Sequence, residues 1–257
     1  MIRFSLLGSG SSGNAVLVAT ESHKILIDNG LSLRQLVLRA AELGESLDGL
    51  HAVFVTHEHG DHVSGLGVLS RRLSVPVFLT EGTLANLPRA VGRLNGVELF
   101  EAGEHFEFGE LTVGSFSVSH DAADPVGYVV QCDGAKLGFA HDLGHASHLV
   151  RNRLAGSHAL VLESNYCPHM LQKGRYPPAV QQRIRGRRGH LSNRDMGSLL
   201  AALRHDALRL VVLVHISEEN NDPELASDIA RHVLRGSPAE VVVAHQNTPT
   251  PMFEVAP

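Results

Sequence analysis

The chain has 257 residues, of which 43% are hydrophobic and 19% charged, with a net charge of −5 and a mean hydropathy of +0.01. This is an ordinary soluble globular composition, long enough to bury a core without disulfide or metal staples, and it excludes disordered and fibrous classes. The longest apolar runs, such as 208–214, are too short to span a bilayer, and the negative balance argues against coating nucleic acid by bulk attraction. The unusual count is 17 histidines against 3 tyrosines and no tryptophan. Cys132 and Cys167 form no C-x-x-C pair and fit a reducing compartment. The apolar run at residues 1–7 passes at once into Gly and Ser, without the apolar core of a signal peptide. The expectation is a cytoplasmic protein with no membrane partner, its oligomeric state left open.

In chain order, residues 2–7, 15–19 and 24–27 read as short strands rich in β-branched residues. Residues 31–43 have helical spacing with Ser32 as N-cap, 51–56 form a buried strand, and 63–73 return to a helical period. A strand at 76–80 and a helix at 84–94 follow. Then come strands at 110–119, 127–131 and 136–140, the last two joined by the Asp133-Gly134 turn. The back third alternates: strand 159–162, helix 194–204, strand 210–215, helix 223–234, strand 240–244. Residues 167–189, with Pro168, Pro177, Pro178 and five arginines, read as an irregular insertion. The whole, 1–257, is expected to be one domain of mixed sheets covered by helices, as two similar halves stacked sheet on sheet.

The strongest chemical signal is Thr56-His57-Glu58-His59-Gly60-Asp61-His62, between a strand and a helix. Residues two apart in an extended segment project to one side, so His57 and His59 can meet one ion. Asp61 and His62, on the first helical turn, can face a second point nearby. Imidazole and carboxylate are the donors that borderline divalent cations accept. Four residues cannot complete two metal shells, and His120, Asp142 and His215 each stand where an apolar strand runs out.

This pattern resembles the metallo-β-lactamase superfamily, whose signature is H-x-H-x-D-H followed by a later His, Asp and His at strand ends. The resemblance implies a four-layer αβ/βα sandwich, two mixed sheets flanked by helices, with the site on one edge. It assigns His57, His59 and His120 to one metal, Asp61, His62 and His215 to another, and Asp142 to a bridge between them. The ions expected are two divalent cations, Zn²⁺ or Mn²⁺. Gly189-His190-Leu191-Ser192-Asn193 looks like the G-H-[ST] element of the tRNase Z and cyclic-phosphodiesterase branches, where the His assists phosphodiester cleavage. Together with Leu7–Asn14, Glu163–Tyr166 and His215–Asn221, it is similar to the YycJ/WalJ-like branch, regarded as bacterial exonucleases acting on DNA from a 5′ end. One departure is His141, where that branch commonly has Thr.

Two divalent ions with Asp61, Asp142 and a bridging hydroxide would leave a site of about +1, which favours a phosphodiester over a neutral substrate. Metal lowers the pKa of water to roughly 7, supplying a hydroxide to attack phosphorus, and His190 is the candidate general acid for the leaving alkoxide. Asp61 and Asp142 count with His190 as catalytic. The arginines ending at Arg188 are either a solvated basic loop or a short track for phosphates, with Arg185, Arg187, Arg188 and Asn193 as candidate substrate contacts. The Gly8–Asn14 loop is either a tight hairpin turn or a cradle in which Ser9, Ser11, Ser12 and Asn14 meet a terminal phosphate. The leading expectation is a dinuclear metal-dependent phosphodiesterase that digests DNA 5′ to 3′ in repair or replication. Its rivals are an RNA, cyclic-nucleotide or small-molecule phosphodiesterase and, from another class, a metal-binding regulatory protein without catalysis.

Overall fold

A computed structural model describes residues 1–257. The first sheet is built from β1 (Ile2–Gly8), β2 (Ala15–Ala19), β3 (Lys24–Ile27), β4 (Leu50–Phe54), β5 (Val77–Thr80) and β6 (Val97–Phe100). The second is built from β7 (His105–Phe108), β8 (Leu111–Ser117), β9 (Val126–Cys132), β10 (Ala135–Ala140), β11 (Ala159–Glu163), β12 (Leu210–Val214) and β13 (Glu240–Val243). The last strand, β14 (Phe253–Val255), returns to pair with β1, so each sheet has seven strands. Both sheets follow one plan. In the first, β14, β1, β2 and β3 pair antiparallel and β3 to β6 pair parallel. In the second, β7 to β10 pair antiparallel and β10 to β13 pair parallel.

Parallel strands need crossovers, and these place helices on the outer faces. They are α1 (Leu33–Glu42), α2 (Gly60–Val63), α3 (Leu66–Leu73), α4 (Glu81–Asn86), α5 (His148–Leu154), α6 (Pro168–Lys173), α7 (Pro178–Arg185), α8 (Asn193–Leu203) and α9 (Pro223–Val233). Apolar side chains of the two sheets, among them Phe4, Phe54, Tyr128, Phe139 and Val212, form a central core. The outer face of the first sheet packs on α1 and α3 through Leu36, Ala40, Leu66 and Leu69. That of the second packs on α5, α8 and α9 through Val150, Leu199 and Ala230. Helix, sheet, sheet and helix give the four layers. The Tyr128 hydroxyl, fully buried, crosses between sheets to donate to the Val55 carbonyl at 2.6 Å. No helix is long and apolar enough to cross a membrane.

Three sequence expectations are corrected. The helix expected at 84–94 begins earlier, at Glu81, where the Thr80 hydroxyl accepts from the Thr83 amide. It ends at Asn86 because Pro88 disfavours helical backbone before it, leaving only a 3₁₀ turn at Arg89–Val91. The helix expected at 63–73 breaks at Gly65, where a Cβ would stand 1.8 Å from the Leu31 carbonyl oxygen. The supposed irregular stretch 167–189 holds two short helices. Pro168 and Pro178 sit in their first turns, where a missing N–H is harmless. It is nonetheless peripheral, for α7 buries none of its residues.

Candidate metal centre

The chain turns polar where its strands end, and six of those ends converge. Asp28 follows β3, His57–His62 follow β4, His120 follows β8, Asp142 follows β10, Glu163 closes β11 and His215 follows β12. The carboxyl ends of strands in α/β sheets are the expected place for a site. Asp28, Asp142 and His215 all have left-handed backbone, with φ of 59°, 50° and 55°.

The donors of His57, His59 and His120 lie within 4.8 Å of one another, as do those of Asp61, His62 and His215. Asp142 stands between the two triads: its Oδ2 is 2.8 Å from His62 Nε2 and 3.8 Å from His57 Nε2, and its Oδ1 is 3.5 Å from His215 Nδ1. The structure therefore brings together all seven residues that the resemblance assigns to metal. His190 joins them, its Nδ1 3.2 Å from Asp142 Oδ1.

Each donor is aimed by a neighbour. His62 directs Nδ1 to Asp28 Oδ2 at 2.9 Å, and Asp28 also accepts from the Thr56 amide and hydroxyl, both at 2.8 Å. The Gly189 carbonyl lies 3.0 Å from His120 Nδ1, and Asn165 donates to His215 Nδ1 at 3.0 Å and to the His215 carbonyl at 2.8 Å. The acceptors at His62 and His120 fix the tautomer and orientation of a ligating histidine, and Asn165 holds the backbone and ring of His215 in place. Gly30 lets the chain approach: a Cβ there would stand 1.8 Å from the Asp61 carbonyl oxygen.

A divalent cation fits this donor set. Asp142 Oδ1 and Oδ2 and His57 Nε2 are buried close to other donor atoms yet make no properly aligned hydrogen bond, which a native site rarely leaves unexplained. Burial, with His62 alongside, pushes the His57 imidazole well below its ordinary value, keeping it a neutral donor. Burial resists charge on His62, but the carboxylates of Asp28, Asp61 and Asp142 outweigh it and push that imidazole well up. Burial likewise opposes ionisation of Asp142, yet His215, His62 and His141 hold its carboxyl well below the usual range. Carboxylates so placed demand positive charge, which bound cations supply.

Asp28 is absent from the sequence expectations, and Glu163 enters them only within the Glu163–Tyr166 stretch, with no role of its own. Glu163, fully buried, lies with its Oε1 2.6 Å from His190 Nδ1, while its Oε2 accepts from the Leu143 and Leu191 amides. Burial opposes a charge on His190, but Glu163 and Asp142 push its value well above the ordinary one. Asp28 directly follows an apolar strand and Glu163 closes one, the same kind of position that picked out Asp142. His141 is buried between two of the acids, 3.3 Å from both Asp142 and Asp28, and these push it up to about 9 against the effect of burial.

Several side chains expected to touch substrate have other partners. The Ser9 hydroxyl accepts from the His215 amide at 2.9 Å, and Asn14, buried, contacts Gly10, Asp61 and His62. Asn193 is buried in a network with Ser164 and Asn221. Arg188 donates to the His120 carbonyl at 3.0 Å and the Ala122 carbonyl at 3.1 Å, while Arg187 lies against His145. Ser9, Asn14 and Asn193 thus shape the site from within, and Arg188, exposed, braces the His120 loop from outside. Ser11, Ser12 and Arg185 remain exposed.

The beta-lactamase superfamily domain model matches residues 23–216. The chain is 37% identical over 237 residues to exodeoxyribonuclease YycJ of Bacillus anthracis, covering 91% of this chain and 89% of that one. It is 31% identical to exodeoxyribonuclease WalJ of Streptococcus pneumoniae, with 98% of both chains covered. Among solved structures, the metallo-beta-lactamase fold protein YhfI from Bacillus subtilis superposes with a TM-score of 0.73 over 97% of this chain and 99% of that one. At 13% identity, that likeness speaks to fold alone.

Proposed function

The chain belongs to the beta-lactamase superfamily, as a metal-dependent hydrolase of its YycJ/WalJ branch, and on that premise we propose that it hydrolyses phosphodiesters of DNA, removing nucleotides from a 5′ end. The observation that carries this reading is the His190–Glu163 pair, set against Asp142 at the junction of the two donor triads. A phosphodiester has a poor leaving group, an alkoxide, and needs a proton delivered to it. The names of the two relatives point to the same substrate class.

Two divalent ions, held by His57, His59 and His120 and by Asp61, His62 and His215 with Asp142 shared, would supply Lewis acidity and lower the pKa of water. The protein's own work is positional. Asn14, Asp28, Asn165 and the Gly189 carbonyl orient the donors, so that little reorganisation is needed when charge develops. His190 donates Nδ1–H to Glu163, which leaves Nε2 to hold a proton for the departing oxygen. Glu163 keeps that ring in one tautomer and is itself held by two backbone amides.

The test compares 5′-phosphorylated duplex DNA, single-stranded DNA, RNA and a small chromogenic diester, with Mn²⁺ or Zn²⁺ supplied. DNA is expected to be shortened from its 5′ end. If the protein binds two equivalents of metal and cleaves none of these, the reading fails. If RNA or the small diester is turned over and DNA is not, the substrate assignment fails while the chemistry stands.

A further inference from the structure

Near His215 two cavities share a wall at Glu219. The inner one, about 300 Å³, adjoins the chain around His215: Ser9, whose hydroxyl accepts from the His215 amide, lies in its wall, as do Ile216 and Ser217. The outer one, about 600 Å³ and shallower, is lined by Lys173 and Arg175. Glu219 belongs to both walls and stands between them. The linker from α6 to α7 is pressed against the turn that follows β12: a Cβ on Gly174 would stand 2.4 Å from Asn220 Oδ1. Asn220 is buried there with neither polar atom of its amide paired. Consecutive residues of this linker face different cavities, Arg175 the outer and Tyr176 the inner.

We propose that these cavities receive the 5′-terminal nucleotide of the strand, its nucleoside in the inner cavity against Tyr176 and its terminal phosphate in the outer one at Lys173 and Arg175. The inference rests on the DNA reading above and deepens it. Charge decides which part goes where. The inner wall carries the carboxylates of Glu218 and Glu219 and the hydroxyls of Ser11 and Ser12, with no Lys or Arg. A phosphate would be repelled there, whereas the amino and ring N–H groups of a base suit carboxylate acceptors. An aromatic face beside them is a stacking platform that tolerates any base. A volume of about 300 Å³ lies at the lower end for small-ligand sites and admits one nucleoside rather than a duplex. In the outer cavity, Lys173 and Arg175 are exposed and make no ion pair, unlike Arg183, which is paired with Asp121. An arginine fork and an ammonium are what a terminal phosphate calls for. The phosphate to be cut would then lie on the His215 side, one nucleotide in from the end, so that the first step releases a mononucleotide.

The test is binding, read by fluorescence anisotropy, of the metal-loaded protein to 3′-labelled oligonucleotides with nuclease-resistant phosphorothioate linkages. Their 5′ ends carry a phosphate, a hydroxyl, or a phosphate on an abasic sugar. The phosphorylated end should bind about tenfold to a hundredfold more tightly than the hydroxyl end. Arg175→Ala with Lys173→Ala should remove most of that ratio, whereas Arg34→Ala with Arg72→Ala, an equal loss of charge on α1 and α3, should keep it. Tyr176→Ala should weaken the base-bearing end about fivefold or more and leave the abasic end unchanged. A ratio near one in the parent protein, or an undiminished ratio in the double variant, overturns the subsite. The two readings separate cleanly: shortening of DNA from its 5′ end with no preference for a 5′ phosphate removes this inference and keeps the function, and phosphate-dependent binding without cleavage does the reverse.

Discussion

The metal centre and the arginines of α7 and the turn after it meet at the same end of the sandwich, yet they are built in opposite ways. The metal donors come from strand ends far apart in the chain, and most are buried. A strand end dictates the direction of the side chain that follows it, and burial leaves that side chain few alternatives. The arginines are contiguous, exposed and carried by a short helix and turn, so their heads go wherever a partner lies within reach. Arg188 finds the carbonyls of His120 and Ala122, and Arg183 finds Asp121, while Arg185 meets only its own helix through Gln181. Residue type at a strand end therefore carries positional information that residue type in a charge run does not.

That contrast is broken most directly at Asp142. Asp142→Asn is expected to abolish all measurable cleavage, because both triads lose their shared carboxylate; metal content and rate are read on the same preparation. Equal metal loading with an unaltered rate would sink the assignment of the centre. His190→Ala should slow the reaction by about 10²–10⁴-fold while metal content holds, and a chromogenic diester with a good leaving group should be affected least. A uniform loss across leaving groups would show that His190 is not the proton donor. Asp28→Asn should weaken metal binding or activity by about 10–100-fold through His62, followed by competition with a chelator. At the arginines the effects shrink and diverge. Arg188→Ala is expected to loosen metal by less than about tenfold, through the His120 loop, and to leave the salt dependence of DNA binding alone. Arg185→Ala should retain metal fully and reduce the salt slope of DNA binding by about one. The opposite pattern would make Arg188 the phosphate contact and Arg185 the structural one.

Much of the fold was legible because its cause is local. Apolar runs mark β1 to β5 and β8 to β13, and Ser32 caps α1 as its type and place indicate. What escaped was either weakly patterned or masked by proline. β6 is mostly exposed and β14 has three residues. β7 does alternate, His105-Phe106-Glu107-Phe108, and could have been read. The prolines that suggested irregularity open α6 and α7 instead. In the site, the metal donors were legible because their chemistry restricts residue type. Asp28 and Glu163 carry the same strand-end signal, but Asp28 belongs to no motif and the Glu163–Tyr166 stretch does not say what its acid touches. The partners of Ser9, Asn14, Asn193 and Arg188 depend on which backbone groups the folded chain brings alongside, and no spacing rule contains that.

The left-handed backbone at Asp28, Asp142 and His215 has a consequence for how this enzyme can change. Conformations of that kind cost on the order of 1–3 kcal/mol each for residues with a side chain, and they persist only where the surroundings hold them. Three of them sit among carboxylates and imidazoles that crowd one another until cations arrive. Folding and hydrolysis thus pull on the same residues in different directions. Glycine at position 215 would relax the turn while removing a ligand, so a screen for thermal tolerance run without metal should enrich dead variants at these positions. The same screen run with metal should reject them.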